Sequence, residues 1–137
     1  MKCVDSKTSA CIGILTLNNP KKLNSLSKEL IDDLCAAVED MRQREVRVVI
    51  LRAPPGSKVF SVGHDIRELP TNGRDPLTYN DLQRQLVRAI EHLPAPVIAM
   101  IEGSVWGGAC ELVRRVSITL IALWGGGVSC EGISGHP

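Results

Sequence analysis

Apolar residues recur along this chain with two different periods, and their alternation outlines a fold. Cys11-Ile12-Gly13-Ile14-Leu15-Thr16-Leu17 is mostly apolar and rich in β-formers, which predicts a strand ending at the Asn18-Asn19-Pro20 turn signal. Leu30, Ile31, Leu34, Val38 and Met41 then follow helical spacing and define a buried stripe. Ser27 is placed to cap that helix at Lys28. Glu29, Asp32 and Asp33 lie near its positive end, and Arg42 and Arg44 near the other. Val46 to Leu51, interrupted only by Arg47, has the length and β-branched content of a strand buried on both faces. Pro54-Pro55-Gly56-Ser57 ends it, and Val59-Phe60-Ser61 returns to extended chain.

Pro70 to Pro76 reads as a loop, and Thr78 followed by Asp81 resembles a capping box with Asp in place of Glu. Leu82, Leu86, Ile90 and Leu93 carry a second helix to a stop at Pro94-Ala95-Pro96. Val97 to Ile101 is another apolar strand, and Gly103 opens the next turn. Strand, helix, strand, strand, helix, strand is an α/β order whose connections favour parallel pairing.

Composition narrows the function classes. The chain has 137 residues, 44% hydrophobic and 23% charged, which fits one globular domain or part of a larger one rather than a disordered chain. Sixteen Lys and Arg against 15 Asp and Glu leave no excess of positive charge to meet a phosphate backbone, so no nucleic-acid partner is expected. Only Phe60, Tyr79, Trp106 and Trp124 are aromatic, which disfavours a base-stacking surface and makes the core aliphatic. The most apolar run, Ile118 to Trp124, is far short of the roughly 20 residues that cross a bilayer, so no membrane association is expected. The N-terminus lacks an apolar signal core. Five cysteines without a C-x-x-C pair read as reduced thiols in a cytoplasmic protein rather than as a metal or disulfide framework.

Two strand ends offer chemistry. Phe60-Ser61-Val62-Gly63-His64-Asp65-Ile66 is a sharp turn, and Glu102-Gly103-Ser104-Val105-Trp106-Gly107-Gly108-Ala109-Cys110-Glu111 sets a glycine pair before a helix start. In α/β sheets ligands gather at the carboxyl ends of strands. Two such turns facing each other would aim two peptide N–H groups at one oxygen, as an oxyanion hole does. Glycine pairs also serve plain turns, and spacing alone leaves both readings open.

These segments, together with Asn19-Pro20-Lys21-Lys22-Leu23-Asn24-Ser25-Leu26, resemble three signatures of the enoyl-CoA hydratase/isomerase (crotonase) superfamily in order and interval. Within it, His-Asp-Ile after Gly63 and Ser-Val-Trp-Gly-Gly-Ala are most similar to the methylmalonyl-CoA decarboxylases. The resemblance runs from about Cys11 to Leu112. It implies the N-terminal portion of a crotonase-like α/β fold of repeated ββα layers, and an acyl-CoA thioester as the ligand. No separate cofactor is implied, because coenzyme A is part of the substrate.

By that resemblance, the backbone N–H groups of His64 and Gly108 hold the thioester oxygen, and Val62, Gly63, His64, Asp65, Ile66 and Gly108 line the acyl and CoA cleft. Lys21 or Lys22 is a candidate to reach the CoA phosphates, against the plainer reading of solvated surface lysines. Loss of a carboxylate as carbon dioxide next to a thioester leaves an enolate, whose charge such donors stabilise. His64 acts through its peptide rather than its ring, and His92 and His136 have no role. Glu111 matches the first of two catalytic glutamates of the hydratases. In a decarboxylase a supporting role suits it better, because a second anion would repel the substrate carboxylate. Glu131 follows by 20 residues, a separation close to the family's. Its context, Ser129-Cys130-Glu131-Gly132-Ile133, does not match the second hydratase motif, and the spacing reads as coincidence.

After Leu112 the motif likeness stops. Residues 113–137, with Gly125-Gly126-Gly127 and a Gly/Ser-rich end, read as a divergent tail on a shortened product. In the family the missing C-terminal helices complete the cleft and build trimers, so the trimer or hexamer of the family is not expected here. An isolated chain of this kind is expected to keep the ββα layers and both turns while being unstable and weakly active; the alternatives are an enoyl-CoA hydratase or isomerase, and a non-catalytic fragment that binds acyl-CoA or full-length subunits.

Overall fold

The computed structural model describes residues 3–63, 77–121 and 130–131. An N-terminal hairpin joins β1 (Val4–Ser9) to β2 (Ile12–Leu17) in antiparallel register, Val4 opposite Leu17. A 3₁₀ turn, Pro20–Lys22, leads to α1 (Lys28–Gln43), and β3 (Val48–Arg52) and β4 (Val59–Ser61) follow. Next come α2 (Leu77–His92), β5 (Val97–Ile101), β6 (Ser104–Trp106), α3 (Gly108–Arg115), β7 (Ile118–Ile121) and the short β8 (Cys130–Glu131).

The strands form two sheets, one of five in the order β1-β2-β3-β5-β7 and one of three in the order β4-β6-β8. Among the described residues every pairing but the β1–β2 hairpin is parallel, as the α/β order implies. β1 itself was not expected. Its sequence, VDSKTS, is polar because only Val4 turns firmly into the core, while Asp5, Ser6 and Lys7 are exposed along an outer strand. β6 likewise replaces what reads as turn in the sequence.

The core lies on one face of the larger sheet. Leu15, Leu17, Val49, Leu51, Val97, Ala99 and Ile101 are buried there, beneath the stripe Leu30, Ile31, Leu34, Val38 and Met41 of α1. Gly13 admits Met41, whose sulfur occupies the space a Cβ would need. Ser27 caps α1 as expected, its Oγ accepting from the Leu30 N–H at 3.2 Å. Leu86, Ile90 and Leu93 bring α2 into the same core, and α2 packs on α1.

Two expectations are corrected. The third strand is not buried on both faces: Val49 and Leu51 are buried, whereas Val48 and Ile50 are half-exposed with Ile14, Ile98 and Met100 on the opposite face. Burial follows the single layer that α1 supplies. Thr78 does not precede its helix, because α2 already includes Leu77. The loop read at residues 70–76 lies outside the described residues. Leu112, where the motif likeness ends, falls inside α3, and β7 then extends the large sheet by pairing with β5, Ile98 opposite Ile118.

One polar cluster fastens β1 to α1. The Cys3 N–H donates to Asp33 Oδ2 at 2.7 Å, and the Cys3 sulfur lies within 4.8 Å of the carboxylates of Glu29 and Asp33. Burial first, then those two acidic neighbours, pushes the Cys3 thiol above its ordinary pKa.

Candidate active site

The small sheet positions the two glycine-bearing turns. β4 pairs parallel with β6, Val59 opposite Ser104 and Ser61 opposite Val105. Parallel neighbours run in the same direction about 4.8 Å apart, so the chain leaves both strands at one end of the sheet. From β4 it passes into Val62 and Gly63 (φ +84°), and from β6 into Gly107 and the first residue of α3, Gly108. Gly107 has φ 52° and ψ −124°, a conformation nearly confined to glycine, and this sharp bend lets α3 begin immediately after β6. The leading N–H groups of a helix point back along its axis, and here the third, that of Cys110, donates to the Gly107 carbonyl at 3.0 Å.

Of the residues expected at the site, Val62 and Gly63 follow β4, Gly108 opens α3, and Glu111 is its fourth residue. His64, Asp65 and Ile66 lie outside the described residues. Glu131 is not remote in the fold. It forms β8 with Cys130 and stands opposite Trp106, one residue before Gly107, so the 20-residue spacing coincides with a placement beside the second turn.

Two supports of these turns have roles that the sequence does not assign. The first is the Asn19–Leu26 loop. Leu23 and Asn24 both adopt left-handed backbone angles, φ 52° each, and bend the loop onto the end of β4. Val62 N–H donates to the Leu23 carbonyl at 3.1 Å, and Leu26 N–H donates to the Gly63 carbonyl at 2.6 Å. Asn24, 4% exposed, accepts from the Asn19 N–H at 2.7 Å through Oδ1 and donates to the Phe60 carbonyl at 3.0 Å. Ser61, fully buried, donates to the Asn24 carbonyl at 2.6 Å and accepts from the Gly63 N–H at 3.1 Å. Ser61 follows the buried Phe60, whereas Asn24 stands between the exposed Leu23 and the polar Ser25, so no apolar pattern marks it in the sequence.

The second support is Glu102, at the end of β5. It accepts from the Gly56 N–H at 2.8 Å and pairs with Arg52 at 3.3 Å, which ties the loop after β3 to the strand leading into β6. Ser104 N–H donates to the Lys58 carbonyl at 3.0 Å. A cavity of about 230 Å³ opens between the two loops, lined by Pro20, Leu23, Asn24, Pro54, Ser57, Lys58 and Val59. Lys21 and Lys22 are exposed in the 3₁₀ turn that Pro20 begins.

The enoyl-CoA hydratase/isomerase family matches residues 7–122. The chain belongs to that family. It is 52% identical over 111 residues to methylmalonyl-CoA decarboxylase of Escherichia coli (strain K12), a match covering 81% of this chain and 42% of that protein. It is 35% identical to the mitochondrial enoyl-CoA hydratase domain-containing protein 3 of Danio rerio, over 77% of this chain and 37% of that one.

Among solved structures, methylmalonyl-CoA decarboxylase complexed with 2S-carboxypropyl-CoA superposes with a TM-score of 0.83 at 49% identity, covering 88% of this chain and 46% of that one. Enoyl-CoA hydratase from Thermoplasma volcanium gives 0.76 at 25% identity, over 88% of this chain and 48% of that one. The fold is therefore the crotonase fold. The chain spans less than half the length of each of these relatives. Among the described residues, no helix is long and apolar enough to cross a membrane.

Proposed function

We propose that this chain carries the oxyanion turns of an acyl-CoA decarboxylase that converts methylmalonyl-CoA to propionyl-CoA. The observation that carries the reading is the parallel pairing of β4 with β6, which delivers Gly63 and Gly108 to the same end of the small sheet. The peptide N–H groups of His64 and Gly108 donate to the thioester oxygen. The bond between C2 and the substrate carboxylate breaks, its electron pair forms the enolate, and carbon dioxide leaves. A proton from water then adds to C2. Donors placed in advance stabilise the enolate oxygen more than the ground-state carbonyl, and one such donor is worth about 3 kcal/mol. The decarboxylation step itself calls for no base, which agrees with a supporting role for Glu111. The cavity beside Leu23 and Lys58 suits the CoA portion, with Lys21, Lys22 and Lys58 near its phosphates.

Glu131 favours a second reading. Its place in β8, opposite Trp106, brings a second carboxylate-bearing residue to the strand that feeds the Gly108 turn, and paired carboxylates are what addition of water to an enoyl thioester requires. Supplying the chain separately with methylmalonyl-CoA and crotonyl-CoA distinguishes the two. Release of propionyl-CoA that persists in Glu111→Gln and Glu131→Gln supports the decarboxylase. Hydration of crotonyl-CoA that falls at least about 100-fold in either variant supports the hydratase. Absence of both products overturns both readings.

A further inference from the structure

We propose that the free edge of β1 pairs with the same edge of a second copy of this chain, antiparallel and centred on Ser6. β1 is an outermost strand of the large sheet and has β2 as its neighbour on one side. The Asn18 N–H donates to the Cys3 carbonyl at 2.7 Å, so the Cys3–Asn18 pair, next in register after Val4–Leu17, is a bonded one. Bonded and non-bonded pairs alternate along an antiparallel ladder. Asp5, Lys7 and Ser9 therefore bond to β2, whereas the N–H and C=O groups of Val4, Ser6 and Thr8 point away from the sheet. Among the described residues no bond takes them up.

Such an edge is a template for another strand, and its side chains decide which one. A second copy related by a two-fold axis presents the same outward positions. With Ser6 opposite its own counterpart, Val4 faces Thr8 on both sides, and the outward groups of all three residues are paired. This register also sets Asp5 opposite Lys7 of the second copy, and the reverse. Both are non-bonded pairs, whose Cα atoms approach to about 4.5 Å. Sliding the copies by two residues in either direction sets Asp5 against Asp5 or Lys7 against Lys7, so charge selects the register. Asp5 and Lys7 are exposed, and Asp5 accepts from the Asn18 side chain at 2.9 Å through one oxygen, which leaves the other for the lysine. On the face toward α1, a cavity of about 370 Å³ runs beside the edge, between Val4 and Ser6 and the small side chains of Ala36 and Ala37. It gives the second copy's Ser6 and Thr8 room.

Sedimentation equilibrium of the full chain, from about 10 µM to 1 mM, reads the association. A Kd of about 100 µM is expected, because one strand pair belongs to the small, transient class of interface. Ser6→Pro removes the central N–H of the free edge and leaves the β1–β2 ladder intact. It is expected to weaken the dimer at least about tenfold with the unfolding midpoint of the dilute chain unchanged. Asp5→Lys alone and Lys7→Asp alone are each expected to stay monomeric, since each sets like charges opposite one another. An equimolar mixture of the two is expected to associate again. A natural chain still monomeric at about 1 mM overturns the proposal. A dimer indifferent to Ser6→Pro, or to both charge reversals, overturns it as well, by placing the contact on another surface or in another register.

Discussion

Gly103 lies so close to the main-chain carbonyl of Lys58 that a Cβ on it would collide with both the carbon and the oxygen, and would sit 2.8 Å from the Ser57 carbonyl oxygen. The contact is backbone on backbone, and no side chain is available to yield. Gly103 also has φ +86°, outside the range that other residues favour. Gly103→Ala is therefore expected to push β4 and β6 apart, costing about 3 kcal/mol. Denaturant unfolding reads the loss, and acyl-CoA affinity falls with it. A variant of unchanged stability would show that the two strands separate freely.

Gly13 presents the opposite case. The nearest atoms a Cβ there meets all belong to the Met41 side chain, whose thioether end can turn aside. Gly13→Ala is expected to cost about 1–2 kcal/mol by overpacking. In a double-mutant cycle with Met41→Ala, most of that cost disappears, because the second change empties the space the first one fills. Additive losses would place the strain elsewhere.

Glu102→Gln tests the clamp between the loops. The Arg52–Glu102 pair is about one-quarter exposed, and Glu102 also accepts from the Gly56 N–H, so the charge is shared between two donors. The expected loss is about 1 kcal/mol, with weaker binding of CoA itself, since the cavity wall formed by Pro54 and Ser57 hangs on that loop. CoA affinity equal to that of the natural chain would separate the clamp from the cavity.

His64→Ala tests whether the peptide or the ring matters. Propionyl-CoA release within about tenfold of the natural chain is expected, because the proposed donor is the main-chain N–H, which alanine retains. A collapse of about 1,000-fold would assign the work to the imidazole.

Cys3 and Cys35 make stability depend on pH in the alkaline range. Burial raises both thiols, with Glu29 and Asp33 adding to Cys3 and Asp32 to Cys35. Above the unfolded thiol pKa, about 8.5, the unfolded chain loses protons that the folded chain keeps, so unfolding becomes easier as pH rises. Stability contributed by these thiols is complete below that pH and declines above it. The slope between pH 8 and 10 is expected to shrink in Cys3→Ser. Iodoacetamide should modify exposed Cys11 well before buried Cys3.

The periodicity of the chain determined much of the layering before any contact was known. The stripe from Leu30 to Met41, the Ser27 cap and the strand Val97–Ile101 all depend on local spacing, and the structure has each of them in place. Tertiary packing decided what spacing does not encode. β1 is polar in sequence and becomes a strand because β2 supplies its partners. β6 is only three residues long, too short for a period, and is held by β4 on one side and β8 on the other. Glu131 acquired a place beside the second turn through that same pairing. The roles of Asn24, Ser61 and Glu102 belong to folding in the same sense, because each bonds main-chain groups more than 35 positions away in the sequence. Sequence alone marks residues that favour a turn, whereas hydrogen bonds between distant segments determine where that turn points.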